Sequence, residues 1–359
     1  MTFYLIYTGV IFLLALIGTK APVIIFSIRN KQYKVEIIWG IMILSSIIVL
    51  GLRDVQTYDT LAYSRGFDLM KSGDYQSSYF SYNILYILIN QLAIAIGGNV
   101  HMVYFICACL SIFFLVLGLE QVECNKYLFL VLYMLTFQFF DQFNIIRQGV
   151  AMSISFFAFN AFLLKTRNFK FYFIFIVIAA LFHLSVIVML PIYFISTKKI
   201  LYPVMVLSVA GVYLFSGLLS RIPFITYIFG SIWSESYVTS FDYALITLSE
   251  VFIALAIIAF RKKIAIDEKD NVILNLVFFF PLFRMGAAQF FILHRLSKYF
   301  INYYIFALLM IPRLEKRGHD YIIYMFIFIF YFLWFFFYMM GYESFHPYKM
   351  ISFKALFEY

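Results

Sequence analysis

About ten apolar stretches, each close to the roughly 20 residues that cross a bilayer core, follow one another along this chain. They run Phe3 to Thr19 or on to Ile28, Val35 to Leu52, Val100 to Leu119, Tyr127 to Phe140 and Ile146 to Leu164 in the first half. Leu201 to Leu219, Tyr243 to Phe260, Val272 to Phe291, Leu296 to Ile311 and Tyr321 to Met340 follow in the second. The chain is 64% apolar and 13% charged over 359 residues, against roughly 45–50% and about 25% in soluble domains. A soluble globular fold is excluded, because no single core of this size encloses that much apolar surface. The expected class is all-α: a polytopic integral membrane protein with about 10 full transmembrane helices, forming one integral membrane domain over residues 1–359. The start, MTFYLIYTG, has no basic n-region and no A-x-A cleavage signal, so it reads as a retained first helix.

Charge sets the sidedness. The formal charge is +9, which in a membrane protein first means basic cytoplasmic loops and not nucleic-acid binding. RNKQYK at 29–34, KTRNFK at 165–170, RKK at 261–263 and RLEKR at 313–317 are the basic clusters. Two further apolar stretches are assigned by parity. If the second span leads outward, residues 53–79 form an external loop, and one of the four stretches before Lys165 does not cross. Tyr82 to Ile96, with Asn83, Asn90 and Gln91 and bounded by Gly97-Gly98, fits best as an interfacial or re-entrant outer-face helix over 82–97. Phe171 to Ile195 lies between KTRNFK and Lys198-Lys199, so a re-entrant hairpin turning near His183 keeps both flanks inside. A second external loop spans 220–242, and both termini lie outside. Cys107, Cys109 and Cys124 show no CxxC pair, so neither a metal site nor a disulfide framework is expected. The repeats that mark inverted-repeat transporters are also missing.

Polar groups at the lips of apolar segments are expensive and mark function. On this topology Arg53, Asp54, Asp59, Asp141, Arg147, Gln148, Arg284, His294, Arg295 and Tyr299 gather on the outer side, with His183 at the hairpin turn and His346-Pro347-Tyr348 after the last span. Arg53 has an alternative reading as a snorkelling anchor, and Asp68 and Asp74 as an ordinary solvated loop. Arg147 stands out because NIIRQGVAMSIS runs straight into a span, with Gly149, Ala151 and Ser153 leaving room for close helix contact. Arg284 lies deep enough to need a partner, Asp141 or Glu250. Several arginines at headgroup level suit bidentate binding of a lipid diphosphate, and a nearby carboxylate or histidine suits a general base toward a sugar hydroxyl. No P-loop or GxGxxG is present.

The blocks LRDVQTYDTLAYSRGF, NIIRQGVAMSIS, AALFHLSVIVMLPIY, HRLSKYFINYY with Pro312, and HPYK occur in this order between Gly51 and Lys349. Together they resemble the EpsG/Wzy-type exopolysaccharide and O-antigen polymerases, most specifically in the iRQ-x-x-A block followed by A-x-x-F-H-x-S. The family's acidic E-x-G-[FY] element is not matched: the corresponding stretch reads YFSYNILY, with no acid near Ser81 and Tyr82. The resemblance implies a membrane glycosyltransferase that joins undecaprenyl-diphosphate-linked oligosaccharide repeat units into an exopolysaccharide, O-antigen or capsule chain. It implies the outer face of the cytoplasmic (inner) membrane, no cofactor, and a flippase and chain-length regulator as pathway partners. On that reading Arg53, Arg147, Arg284 and Arg295 bind diphosphate, Asp59 or His183 is the base, and Gln148 and Tyr299 orient sugar or phosphate oxygens. Displacement by a single activated hydroxyl predicts inversion at the anomeric carbon. The competing classes are a membrane O-acyltransferase with His183 as base and a lipid-linked oligosaccharide transporter. A structural subunit of an envelope complex leaves the arginine set without a purpose.

Overall fold

The computed structural model describes the chain apart from residues 29–30, 55–56, 75–82, 196–199, 220, 222–240, 288–291, 316–317, 342–347 and 358–359. His346, Pro347 and most of the 220–242 loop therefore lie outside the described residues. The fold is helical, with one small extended element: β1 (Ile24–Ile28) pairs antiparallel with β2 (Lys31–Val35), Ile24 opposite Val35. Among the described residues, four helices are long and apolar enough to cross a membrane: Val100–Leu119, Ile146–Lys165, Glu268–Ala287 and Asp320–Met340. Shorter apolar helices accompany them.

The chain divides into two compact units. One comprises Met1–Ala161, Ile174–Leu184 and Tyr331–Tyr359, the other Phe162–Phe173 and Ser185–Phe330. The first holds α1 (Thr2–Gly18), α2 (Ile37–Gly51), α3 (Tyr58–Lys71), α4 (Ile84–Ala95), α5 (Val100–Leu119), α6 (Lys126–Leu135), α7 (Gln138–Asp141) and α8 (Ile146–Phe159). Glycines set the helix crossings. A Cβ on Gly51 would meet the Phe105 backbone at 3.1 Å, and one on Gly118 would meet Phe156 at 2.5 Å. Only a missing side chain lets α2 and α8 approach α5 this closely.

Two expected elements change shape here. The 53–79 stretch, read as a loop, contains the 14-residue helix α3. Thr57 caps it: its side chain accepts from the Thr60 amide while the Thr60 hydroxyl accepts from the Thr57 amide, a reciprocal box. Tyr63, Phe67 and Met70 bury its apolar face. The expected span from Tyr127 to Phe140 is broken instead. α6 ends at Leu135, the Thr136 hydroxyl bonds back to Leu132 O at 2.8 Å, and Phe137 takes a left-handed φ of 63°. Ten helical residues reach about 15 Å, half a bilayer core. Tyr127 through Leu135 are all buried, so α6 is an internal helix whose broken end is covered by protein. α4 is likewise short, at 12 residues.

After the last helix the chain returns to the start of α3. Tyr348 stacks on Phe3 at 3.8 Å and donates to Val49 O at 2.9 Å. Arg53 and Met350 form an antiparallel bridge, flanked by Asp54 N to Lys349 O at 3.0 Å and Ile351 N to Leu52 O at 2.8 Å.

The second unit takes in the start of α9 (Phe169–Ala180), then α10 (Met189–Ile195), α11 (Tyr202–Leu219), α12 (Phe241–Ala259), α13 (Arg261–Ile264), α14 (Glu268–Ala287), α15 (Ile292–Ser297), α16 (Ile301–Met310) and the first half of α17 (Asp320–Gly341). The 171–195 stretch folds back on itself. Phe169 meets Tyr193 at 5.0 Å and Phe194 at 5.2 Å, and the Tyr172 hydroxyl donates to Met189 O at 2.5 Å. Leu296 to Ile311 is not one span: the chain turns at Lys298–Phe300 before α16, every residue of which is buried. Three basic clusters meet around the start of α14, through Arg167 to Glu268 at 2.8 Å, Arg261 to Asn271 at 3.0 Å and Arg313 to Asp270 at 2.5 Å. Arg284 lies in the last turn of the same helix, about 24 Å further along.

Candidate functional site

In the first unit, α3, α4, α8 and the turn after α9 come together around Arg147. Arg147 is the second residue of α8, so its guanidinium projects from the helix end where amide dipoles favour anions. Gly149 makes that end compact: a Cβ there would meet Gln142 Oε1 at 2.9 Å, and Gln142 in turn donates to the Tyr133 hydroxyl at 2.6 Å. The guanidinium carbon lies 5.5 Å from the Tyr63 ring centre and 5.7 Å from that of Tyr86, within cation–π range of both. Asn83 supplies a third contact. With its amide oxygen toward Arg147, it accepts from Nη1 at 2.7 Å and donates to Phe182 O at 2.6 Å; this is the orientation that satisfies both groups.

His183 follows Phe182 directly. The Leu181–His183 turn is held by Leu85 N to Leu181 O at 3.2 Å and by His183 N to Ala179 O at 3.0 Å. Asp59 occupies the first turn of α3, four residues before Tyr63 and so on the same helical face. The Thr57 hydroxyl donates to Asn144 Oδ1 at 2.8 Å, which ties the start of α3 to the segment leading into Arg147. Asp59, Arg147 and His183, far apart in sequence, therefore sit on elements bonded to one another. Gln148, beside Arg147, is 2% exposed and belongs to the interior.

Arg53 is placed differently from the expectation of a diphosphate ligand. It is 2% exposed, and its fork donates to Phe143 O at 3.1 Å and 3.3 Å, to Gln142 O at 3.4 Å and to Leu50 O. Tyr104 and Phe143 sandwich it at 4.8 Å and 5.3 Å. Burial pulls its guanidinium below the usual arginine range, and the backbone acceptors are what keep the charge tolerable. Through its bonds to Phe143 O and Gln142 O, Arg53 braces the peptide that precedes NIIRQ.

Arg284, Arg295 and Tyr299 belong to the second unit. Arg284 pairs with Glu250, Nη2 to Oε2 at 2.9 Å and Nε to Oε2 at 3.0 Å, with the two side chains 7% and 1% exposed. Its Nη1 faces His294 Nδ1. A guanidinium only donates, so that ring nitrogen accepts and the imidazole is neutral. Glu250, one of the two partners considered for Arg284, is the one that pairs with it. Tyr299 is 3% exposed and shares a 2.8 Å hydrogen bond with Ser185 of the same unit. Arg295, on α15, is half-buried.

Sequence reasoning missed Tyr63, Tyr86 and Asn83 as a group. The signal for Asn83 was its polarity within an apolar stretch; the tyrosines gave none beyond aromatic abundance. Among the described residues no three His, Cys, Asp or Glu side chains gather as a metal site.

No curated protein and no solved structure matches the chain. A family model does. The EpsG family model covers residues 36–350, from the residue before α2 to the bridge opposite Arg53. The chain belongs to the EpsG family, a membership that supports a membrane-embedded function of the exopolysaccharide-polymerase type.

Proposed function

We propose that this protein polymerises oligosaccharide repeat units carried on undecaprenyl diphosphate, transferring the growing glycan from its carrier to the next lipid-linked unit at the outer face of the cytoplasmic membrane. The observation that carries this reading is the setting of Arg147. A half-buried guanidinium at a helix N-terminus, steadied by two tyrosine rings and an amide oxygen, is prepared for a phosphate group. Arg147 stabilises the departing diphosphate, where negative charge grows as the glycosidic bond breaks. Arg53 and Arg284 hold the scaffold, since their donors are occupied by carbonyls and by Glu250.

The base is Asp59 or His183, titratable side chains on elements bonded to the Arg147 setting. A pH profile of kcat/KM separates them. An acid limb that vanishes in His183→Gln assigns the histidine, and one that vanishes in Asp59→Asn assigns the aspartate.

The test is transfer in liposomes with purified lipid-diphosphate-linked oligosaccharide as the sole sugar source. A ladder of longer lipid-linked glycans, with the new linkage inverted at the anomeric carbon, is the expected result. Retained configuration overturns the single-displacement step. A mass shift of acyl size seen only with an acyl donor moves the assignment to an acyltransferase.

A further inference from the structure

We infer that Asn83 is the positioning residue of this site, a neutral amide that aims the Arg147 fork and locks the His183 turn to it in one frame. The inference rests on the diphosphate reading of Arg147 given above. Asn83 precedes α4 and makes one bond in each direction, accepting from Arg147 Nη1 at 2.7 Å and donating to Phe182 O at 2.6 Å. Two residues on, Leu85 N reaches Leu181 O at 3.2 Å, so residues 83–85 grip both sides of the turn that ends in His183.

The chemistry of the amide matters. A side chain in this place must accept from a cation and donate to a carbonyl at once, and an amide does both without a net charge. A carboxylate of the same shape accepts from Arg147 but turns a second acceptor toward Phe182 O. It also competes with phosphate for the guanidinium. An alanine releases both partners and leaves the fork without the amide that aims it. Because a bidentate arginine distinguishes phosphate groups by geometry as well as by charge, loss of aim shows first as loss of discrimination.

The experiment measures binding of undecaprenyl diphosphate and undecaprenyl monophosphate to the purified full chain in lipid nanodiscs. Wild type is expected to prefer the diphosphate, and Arg147→Ala to lose that preference. Asn83→Ala is expected to reduce it about ten-fold, in line with a hydrogen bond to a charged group. The double variant Asn83→Ala/Arg147→Ala is expected to bind no worse than Arg147→Ala, because the amide acts through the arginine. If Asn83→Ala does not fold, Asn83→Asp serves in its place and is expected to lose the preference through its added charge. Asn83 variants that keep the wild-type preference, or an Asn83 effect that adds in full to that of Arg147→Ala, overturn the positioning role and leave the diphosphate reading standing. Equal binding by wild type and Arg147→Ala overturns the diphosphate reading, and the role of Asn83 with it.

Discussion

Three arginines at the lips of apolar segments look alike in sequence and differ completely in what their donors meet. Arg147 faces rings and an amide, Arg53 faces backbone carbonyls, and Arg284 faces a carboxylate. Periodicity and hydropathy identify such residues as costly but carry no information about a partner 90 positions away, which is the separation of Arg53 from Phe143. Arg284 was the easier reading, because a charge that deep requires a counter-charge and Glu250 sits mid-span. The distinction is testable. Arg284→Ala leaves Glu250 buried and uncompensated, and is expected to destabilise the protein by about 3–5 kcal/mol, measured by thermal unfolding in detergent. Arg284→Met with Glu250→Leu removes both charges and is expected to restore most of that stability and to retain transfer activity. Loss of activity in the stable double variant would return Arg284 to the diphosphate-binding set.

At the level of elements, long uninterrupted spans were legible and interrupted ones were not. α5, α14 and α17 follow from apolar runs near 20 residues, because length and hydropathy together leave one solution in lipid. The breaks after α6 and before α16 fall in sequence without glycine or proline, LTFQFF and SKYFIN, so no local signal marks them. Both short helices are buried almost throughout, and burial by neighbours is what makes a broken helix affordable at membrane depth. In sequence α3 reads as a loop because of its charges, although Thr57 and Thr60 form a cap and Tyr63, Phe67 and Met70 keep helical spacing. Phe137 gives the element-scale prediction. Its ring is 1% exposed and lies 4.6 Å from Tyr338, while its backbone is left-handed. Both Phe137→Ala and Phe137→Gly lose the packing, about 3–5 kcal/mol. Glycine, however, relieves the backbone, so Phe137→Gly is expected to be the more stable of the two by about 1 kcal/mol in unfolding experiments. The usual helical order, alanine above glycine, would show that the break is not held in the left-handed form.

For the whole molecule, the order of motifs in sequence becomes proximity within the first unit. The LRD block and the end of HPYK are joined edge to edge, Arg53 braces the peptide before NIIRQ, and Asn83 ties NIIRQ to the FH turn. The sequence supplied Arg147, Asp59 and His183 as candidates; it did not supply the side chains that bring them together, because Tyr63, Tyr86 and Asn83 are ordinary residues in an aromatic-rich chain. The account centres on Arg147, so the most direct measurement compares wild type with Arg147→Ala in liposomes at matched amounts of folded protein. With lipid-diphosphate-linked repeat units as the only sugar source, wild type is predicted to build a glycan ladder and the variant to slow it by about 100-fold or more. A variant that builds the same ladder at the same rate would contradict the account.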